Sequence, residues 1–85
     1  MIQIDYDLKN IIISALRYAL GRKSYVTFEV CEYIIKHPKL IDKRVKDVML
    51  KDLENLDEYY KKDDLDRIAF NVLKKWLEKL EVRNG

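Results

Sequence analysis

The segment that decides the fold runs from Ala15 to Ile35 and reads Ala-Leu-Arg-Tyr-Ala-Leu-Gly-Arg-Lys-Ser-Tyr-Val-Thr-Phe-Glu-Val-Cys-Glu-Tyr-Ile-Ile. It contains the end of one helix, a turn at Gly21 and the start of the most hydrophobic helix of the chain. From Ser24 onward, apolar side chains cover more than half of the helix circumference: Val26, Phe28, Val30, Cys31, Tyr33, Ile34 and Ile35. A helix with so wide an apolar arc must be surrounded, so we expect the other helices to pack around it.

The rest of the chain predicts an all-α fold, a compact bundle of about four helices in a single domain over residues 1–85. Two glycines and one proline leave little room for loops. Gly21 suits a helix C-cap and Ser24 an N-cap, and the residue before Pro38 is driven out of the α region. The apolar periodicity then predicts helices over residues 7–20, 24–37, 42–57 and 64–82.

The composition indicates a soluble protein of a reducing compartment. No apolar run approaches the roughly 18 residues that a transmembrane helix needs. The N-terminus lacks the features of a signal peptide, and Cys31 is the only cysteine, so we expect a cytoplasmic protein that does not contact the membrane. The net charge of +2 is too small to indicate nucleic acid by itself.

Residues that could carry catalysis or bind a metal are few. A zinc site needs about three or four close nitrogen, sulfur or oxygen ligands, and the single cysteine and single histidine, Cys31 and His37, cannot supply them. Cys31 lies on the apolar arc, where a cysteine behaves as a small hydrophobic side chain. We predict that the protein is not an enzyme and uses no cofactor and no metal.

One carboxylate falls on a predicted apolar face. Asp52 lies between the apolar residues of the third helix, where an unpaired charge is costly. We expect a structural ion pair with Arg17 and Arg22, the arginines on either side of Gly21. Loss of a buried bond of this kind, as in Asp52→Asn, costs about 1–3 kcal/mol.

Two helices carry more apolar side chains than one core face requires. On the first helix, the stripe predicted to face the core is Leu8, Ile11, Ile12, Ala15, Leu16 and Ala19. On the last helix it is Leu65, Ile68, Ala69, Val72, Leu73, Trp76 and Leu80. The apolar residues beside these stripes are candidate anchors for a protein partner: Ile13, Leu20, Phe70 and Leu77. The plainer interpretation is that the bundle itself buries them.

The turn between the first two helices is basic and aromatic, and Arg22, Lys23 and Tyr25 form the predicted rim of the partner-binding site. The segment Arg17–Tyr25 also suits phosphate contacts and base stacking, so a small nucleic-acid-binding regulator is the alternative function. Glu29 and Glu32 oppose that alternative, because a recognition helix in the major groove avoids such charges. A structural homodimer is the third hypothesis.

The segment Arg17-Tyr18-Ala19-Leu20-Gly21-Arg22-Lys23-Ser24-Tyr25-Val26 resembles one found in small proteins of Firmicutes, their phages and other mobile elements. The similarity is specific over residues 15–35 and loose over the next twenty. It implies no activity or cofactor, but it implies a setting in which small proteins disable host defence machinery, as anti-CRISPR proteins do. We therefore expect a non-catalytic inhibitor or modulator, encoded by a phage or mobile element, that binds a defence nuclease complex.

Overall fold

The computed structural model describes residues 4–20 and 26–82, and every element in these ranges is helical. The α-helices are α1 (Ile4–Leu20), α2 (Val26–Lys36), α3 (Lys43–Asp52), α4 (Leu56–Tyr59) and α5 (Leu65–Lys79), with a 3₁₀ turn at Pro38–Leu40 between α2 and α3. Because α4 is a single turn, four main helices form the fold. The all-α bundle that the sequence predicts is confirmed.

The four main helices surround one hydrophobic core. The helices α1 and α5 each pack against α2 and α3, which places α1 and α5 at opposite corners of the bundle. The largest fully buried side chains come from all four helices and from the turn after α3: Leu16, Ile34, Val45, Met49, Leu53, Phe70, Leu73 and Leu77. Cys31 is also in this core, as predicted.

The apolar helix α2 packs extensively against both α1 and α5, but its neighbours do not cover its whole apolar arc. Thr27, Cys31 and Ile34 are buried. Phe28 and Tyr33, which the sequence places on the same arc, are exposed. The prediction that α2 is surrounded is therefore wrong at these two positions, because α1 and α5 pack against only part of its circumference.

The predicted helix boundaries differ from those of the structure by up to five residues. The predicted helix 42–57 is interrupted after Asp52, and α4 begins only at Leu56. The interruption includes Asn55, a residue type whose side chain competes with helical backbone hydrogen bonds. The helix α1 begins at Ile4, three residues before the predicted start at residue 7. The helix α5 is shorter than the predicted 64–82, and α2 ends one residue before the predicted 37. The predicted start of α2, with the predicted caps Gly21 and Ser24, lies outside the described residues.

Side-chain bonds to the backbone tie the helix ends together. Asp42 is the N-cap of α3, and its carboxylate accepts a hydrogen bond of 2.8 Å from the backbone N–H of Val45. Lys46 donates a bond of 2.9 Å to the backbone carbonyl of Leu80, just after α5. The hydroxyl of Tyr60 donates to the backbone carbonyl of Leu20, at the end of α1. These contacts satisfy backbone groups that helix termini leave without partners.

The core-facing sides of α1 and α5 are rotated relative to the predicted ones. On α5 the predicted core residues Leu65, Ile68 and Val72 are exposed, and Phe70 and Leu77 are buried instead. On α1, Ile11 is exposed and Ile13 is buried. Because both helices are apolar over wide arcs, periodicity alone does not select a face, and the structure buries the bulkier α5 stripe that contains Phe70.

Candidate protein-binding surfaces

Most of the predicted partner anchors are core residues. Ile13, Phe70 and Leu77 are buried, and Leu20 is half-buried against the core. The prediction that Ile13, Phe70 and Leu77 are available to a partner is therefore wrong, and the plainer interpretation, that the bundle buries them, is correct. The predicted rim of Arg22, Lys23 and Tyr25 lies outside the described residues.

The predicted pairing of Arg17 with Asp52 is present. The Nε–H group of Arg17 donates a hydrogen bond of 2.7 Å to a carboxylate oxygen of Asp52 and so joins α1 to the end of α3. The Asp52 side chain is 20% exposed and the Arg17 side chain 59% exposed, so solvent screens the pair on one side. The other predicted partner, Arg22, lies outside the described residues. The contact gives Arg17 a structural role.

Five of the seven large apolar side chains that are exposed among the described residues group on two surfaces. The first is an open groove between α1 and α2, which we call the α1–α2 groove. It is lined by Leu8, Ile11, Ile12, Ala15, Glu29, Val30, Tyr33 and Ile34 and has a volume of about 200 Å³. Ala15 has the smallest of the apolar side chains in this lining, and Glu29 is the only charged residue among the described lining residues. The groove can therefore accept apolar side chains beside one carboxylate.

On the α2 wall of the α1–α2 groove, the Tyr33 ring is packed against His37. The rings of Tyr33 and His37 are stacked, with centroids 4.0 Å apart and an angle of 21° between their planes. The Nδ1 atom of His37 is also 2.7 Å from the backbone carbonyl of Tyr33. His37 lies at the end of α2, as predicted, and its contacts restrain the Tyr33 side chain. A restrained aromatic side chain loses less conformational entropy when a partner covers it.

The second surface is on α5 and points away from the core. We call Leu65, Ile68 and Val72, which follow one another at intervals of three and four residues, the α5 outer stripe. Further along the same helical face lie Lys75 and Lys79, and both are exposed. The acidic residues Asp63 and Asp64 immediately precede α5. The sequence assigned the outer stripe to the core, so its availability was missed.

The described residues contain no group of three or more His, Cys, Asp or Glu side chains placed to hold a metal ion. Burial, together with the smaller effect of the negative charge of Asp66, raises the pKa of the Cys31 thiol to about 12. The thiol is therefore neutral at physiological pH, which makes it a poor nucleophile. No described helix is both long enough and apolar enough to cross a bilayer.

The fold and its two surfaces define a small all-α domain with exposed apolar side chains on a helix pair and on a single helix. No family model matches the chain, and neither a curated protein nor a solved structure is significantly similar to it.

Proposed function

We propose that the protein is a non-catalytic binding protein that inhibits or modulates a protein partner, and that the partner docks on the α1–α2 groove. The observation that carries the proposal is the exposure of Ile11 and Tyr33 on opposite walls of an apolar groove. Exposed apolar side chains are common one at a time, but a concave group of them is typical of an interaction site.

The size of the groove favours a protein side chain over a small-molecule ligand. Pockets that bind small molecules typically measure about 300–1,000 Å³. The α1–α2 groove, at about 200 Å³ and open to solvent, is smaller. It suits one or two large apolar side chains from the face of a partner helix, which is a common mode of peptide recognition. Glu29 at the groove favours a basic residue beside those side chains.

The proposed target class is a host defence complex, and the proposed source is a phage or other mobile element. This part of the proposal is supported by the resemblance of the segment Arg17–Val26 to small proteins from that setting. An inhibitor of this class needs no catalytic groups, because it acts by occupying a surface of its target. A cytoplasmic location follows from the same proposal.

The test is capture of partners by tagged protein from a nuclease-treated host lysate, with three forms of the chain compared. Wild type is expected to retain one protein complex, and Ile11→Glu is expected to lose it, since a charge would enter the groove. Ser14→Glu is the matched control, because Ser14 is an exposed residue of α1 that does not line the groove. Equal capture by Ile11→Glu and wild type would refute the assignment of the groove.

The same experiment separates the nucleic-acid alternative. A regulator that binds phosphates through the segment Arg17–Tyr25 would retain only nuclease-sensitive material, and its binding would weaken steeply with salt. Capture through the groove should instead survive nuclease and depend little on salt. Recovery of nuclease-sensitive material alone would therefore replace the proposed function with the alternative.

A further inference from the structure

One carboxylate at the α1–α2 groove has no cation beside it. Of the five carboxylates described on α2, α3 and the N-cap of α3, four bond to a lysine or arginine within 3.2 Å: those of Glu32, Asp42, Asp47 and Asp52. The fifth belongs to Glu29, which is exposed and lines the groove among apolar side chains. Its carboxylate makes no hydrogen bond or ion pair with another described residue. It is therefore available to a cation from a partner.

Glu29 lies at one end of the groove. The helices α1 and α2 pack side by side, and five residues separate the end of α1 from the start of α2. Two helices joined by so short a connection run antiparallel. The end of the groove that contains Glu29, near the start of α2, therefore includes Ala15 of α1. The other end contains Tyr33, one turn further along α2, and includes Ile11.

The two ends suit different side chains. The end with Ile11 and Tyr33 is apolar and suits an aliphatic or aromatic anchor. At the other end, the small side chain of Ala15 leaves space beside Val30. A lysine or arginine can place its apolar stem in that space and extend its cationic group to the Glu29 carboxylate. An acidic side chain in the same place would be repelled by Glu29.

We propose that Ala15, Val30 and Glu29 form a subsite for an arginine or lysine side chain of the partner, and that Glu29 selects it. This inference rests on the proposed function, because the subsite is one end of the groove on which the partner docks. Along α2, Glu29 and Tyr33 are one turn, or about 6 Å, apart. A partner helix in the groove therefore presents its basic residue three or four positions from the apolar anchor that contacts Tyr33.

The charged residues described near Glu29 do not account for the same selection. Glu32 and Lys36, on the same helix, pair with each other at 2.5 Å, and neither is among the described lining residues of the groove. Arg17, on α1, is bonded to Asp52. Glu29 also lies in the first turn of α2, where a negative charge stabilises the helix. That role would change the stability of a Glu29 variant, but it would not change which partner residues bind.

Selection from a displayed library of helical peptides tests the subsite. One face of the peptide helix is randomised, and the folded full-length chain is the bait. Peptides that bind the groove are those that wild type retains and Ile11→Glu does not. Among these peptides, wild type is expected to enrich arginine or lysine three or four positions from an apolar residue. Glu29→Lys should enrich aspartate or glutamate at that position instead.

The affinities of the selected peptides measure the size of the effect. Glu29→Gln should weaken their binding about three- to tenfold. The matched control is Glu32→Gln, which should leave binding unchanged, because Glu32 is an exposed glutamate of α2 outside the described lining of the groove. Replacing the basic residue of the peptide by glutamine should weaken binding to wild type by the same factor and should not affect binding to Glu29→Gln.

The outcomes separate this inference from the proposed function. Groove-dependent peptides without a basic preference, or with the same preference in Glu29→Gln as in wild type, would overturn the subsite and leave the groove as the docking surface. A library from which no retained peptide depends on Ile11 would overturn both.

Discussion

The Asp42 side chain makes two bonds: one caps the start of α3, and the other joins α3 to α1. The substitution Asp42→Ala removes both. One carboxylate oxygen of Asp42 accepts from the backbone N–H of Val45 at 2.8 Å. The other accepts from the ammonium group of Lys9, on α1, at 3.0 Å. Both side chains of the ion pair are less than a quarter exposed. Asp42 therefore combines a helix cap with a long-range contact, and the two can be separated by the choice of substitution.

The expected loss of stability follows from these two contributions. Loss of an N-cap costs about 1 kcal/mol, with a range of about 0.5–2 kcal/mol. An ion pair of limited exposure contributes up to about 1 kcal/mol. Asp42→Ala should therefore lower the free energy of unfolding by about 1.5–2 kcal/mol. Asp42→Asn keeps the capping oxygen and should lose only the ion pair, about 0.5–1 kcal/mol.

The pH dependence has a defined sign. Burial raises the pKa of the Asp42 carboxyl, but the hydrogen bond from Val45 and the charges of Lys9 and Arg44 outweigh it and hold the pKa below its ordinary value. A group whose pKa is lower in the folded than in the unfolded state adds stability at pH values above its unfolded pKa, which is about 3.9 for Asp. That contribution is lost as the pH falls through the folded pKa. The difference between wild type and Asp42→Ala should thus be constant near neutral pH and shrink below about pH 4.

These differences are measured by urea unfolding at pH 7 and at steps down to pH 3. Wild type, both Asp42 variants and a control are compared. The control is Asp47→Ala, because the exposed i, i+4 pair of Asp47 with Lys43, at 3.2 Å, should contribute no more than about 0.5 kcal/mol. Equal losses for Asp42→Ala and Asp42→Asn would refute a capping role. A loss in Asp42→Ala no larger than that of the control would refute the whole account.

Three further substitutions test the core and the polar contacts. Asp52→Asn should lower the free energy of unfolding by only about 0.2–1 kcal/mol, which is less than the sequence-based expectation, because its partner Arg17 is 59% exposed. A double-mutant cycle with Arg17→Ala at two salt concentrations measures the contribution of the pair. Phe70→Ala should cost about 3–5 kcal/mol in denaturant unfolding because Phe70 is fully buried, whereas a surface anchor would change stability by less than about 0.5 kcal/mol. Thr27→Val should raise the melting temperature, because the buried hydroxyl of Thr27 has no hydrogen-bond partner among the described residues. A lower melting temperature of the variant would indicate that the hydroxyl is hydrogen-bonded.

The helices were predictable from sequence because they depend on local spacing, and one ion pair was predictable as well. Apolar periodicity, together with Pro38, indicated the approximate helix limits. The pairing of Arg17 with Asp52 followed from a different rule, that a carboxylate on an apolar face needs a cation. The interruption after Asp52 was missed, because the apolar positions Leu53, Leu56 and Tyr60 keep helical spacing across it.

The candidate site was not predictable to the same degree, because the face that a helix buries is a property of the whole bundle. Both Phe70 and Ile68 lie on apolar stripes of α5, and only the packing of α2 and α3 against α5 decides that Phe70 is inside. Three of the four predicted apolar anchors are therefore core residues, whereas the predicted core residues Leu65, Ile68 and Val72 are exposed. The excess of apolar side chains correctly indicated that some of them stay exposed in the folded bundle, but it did not identify which ones.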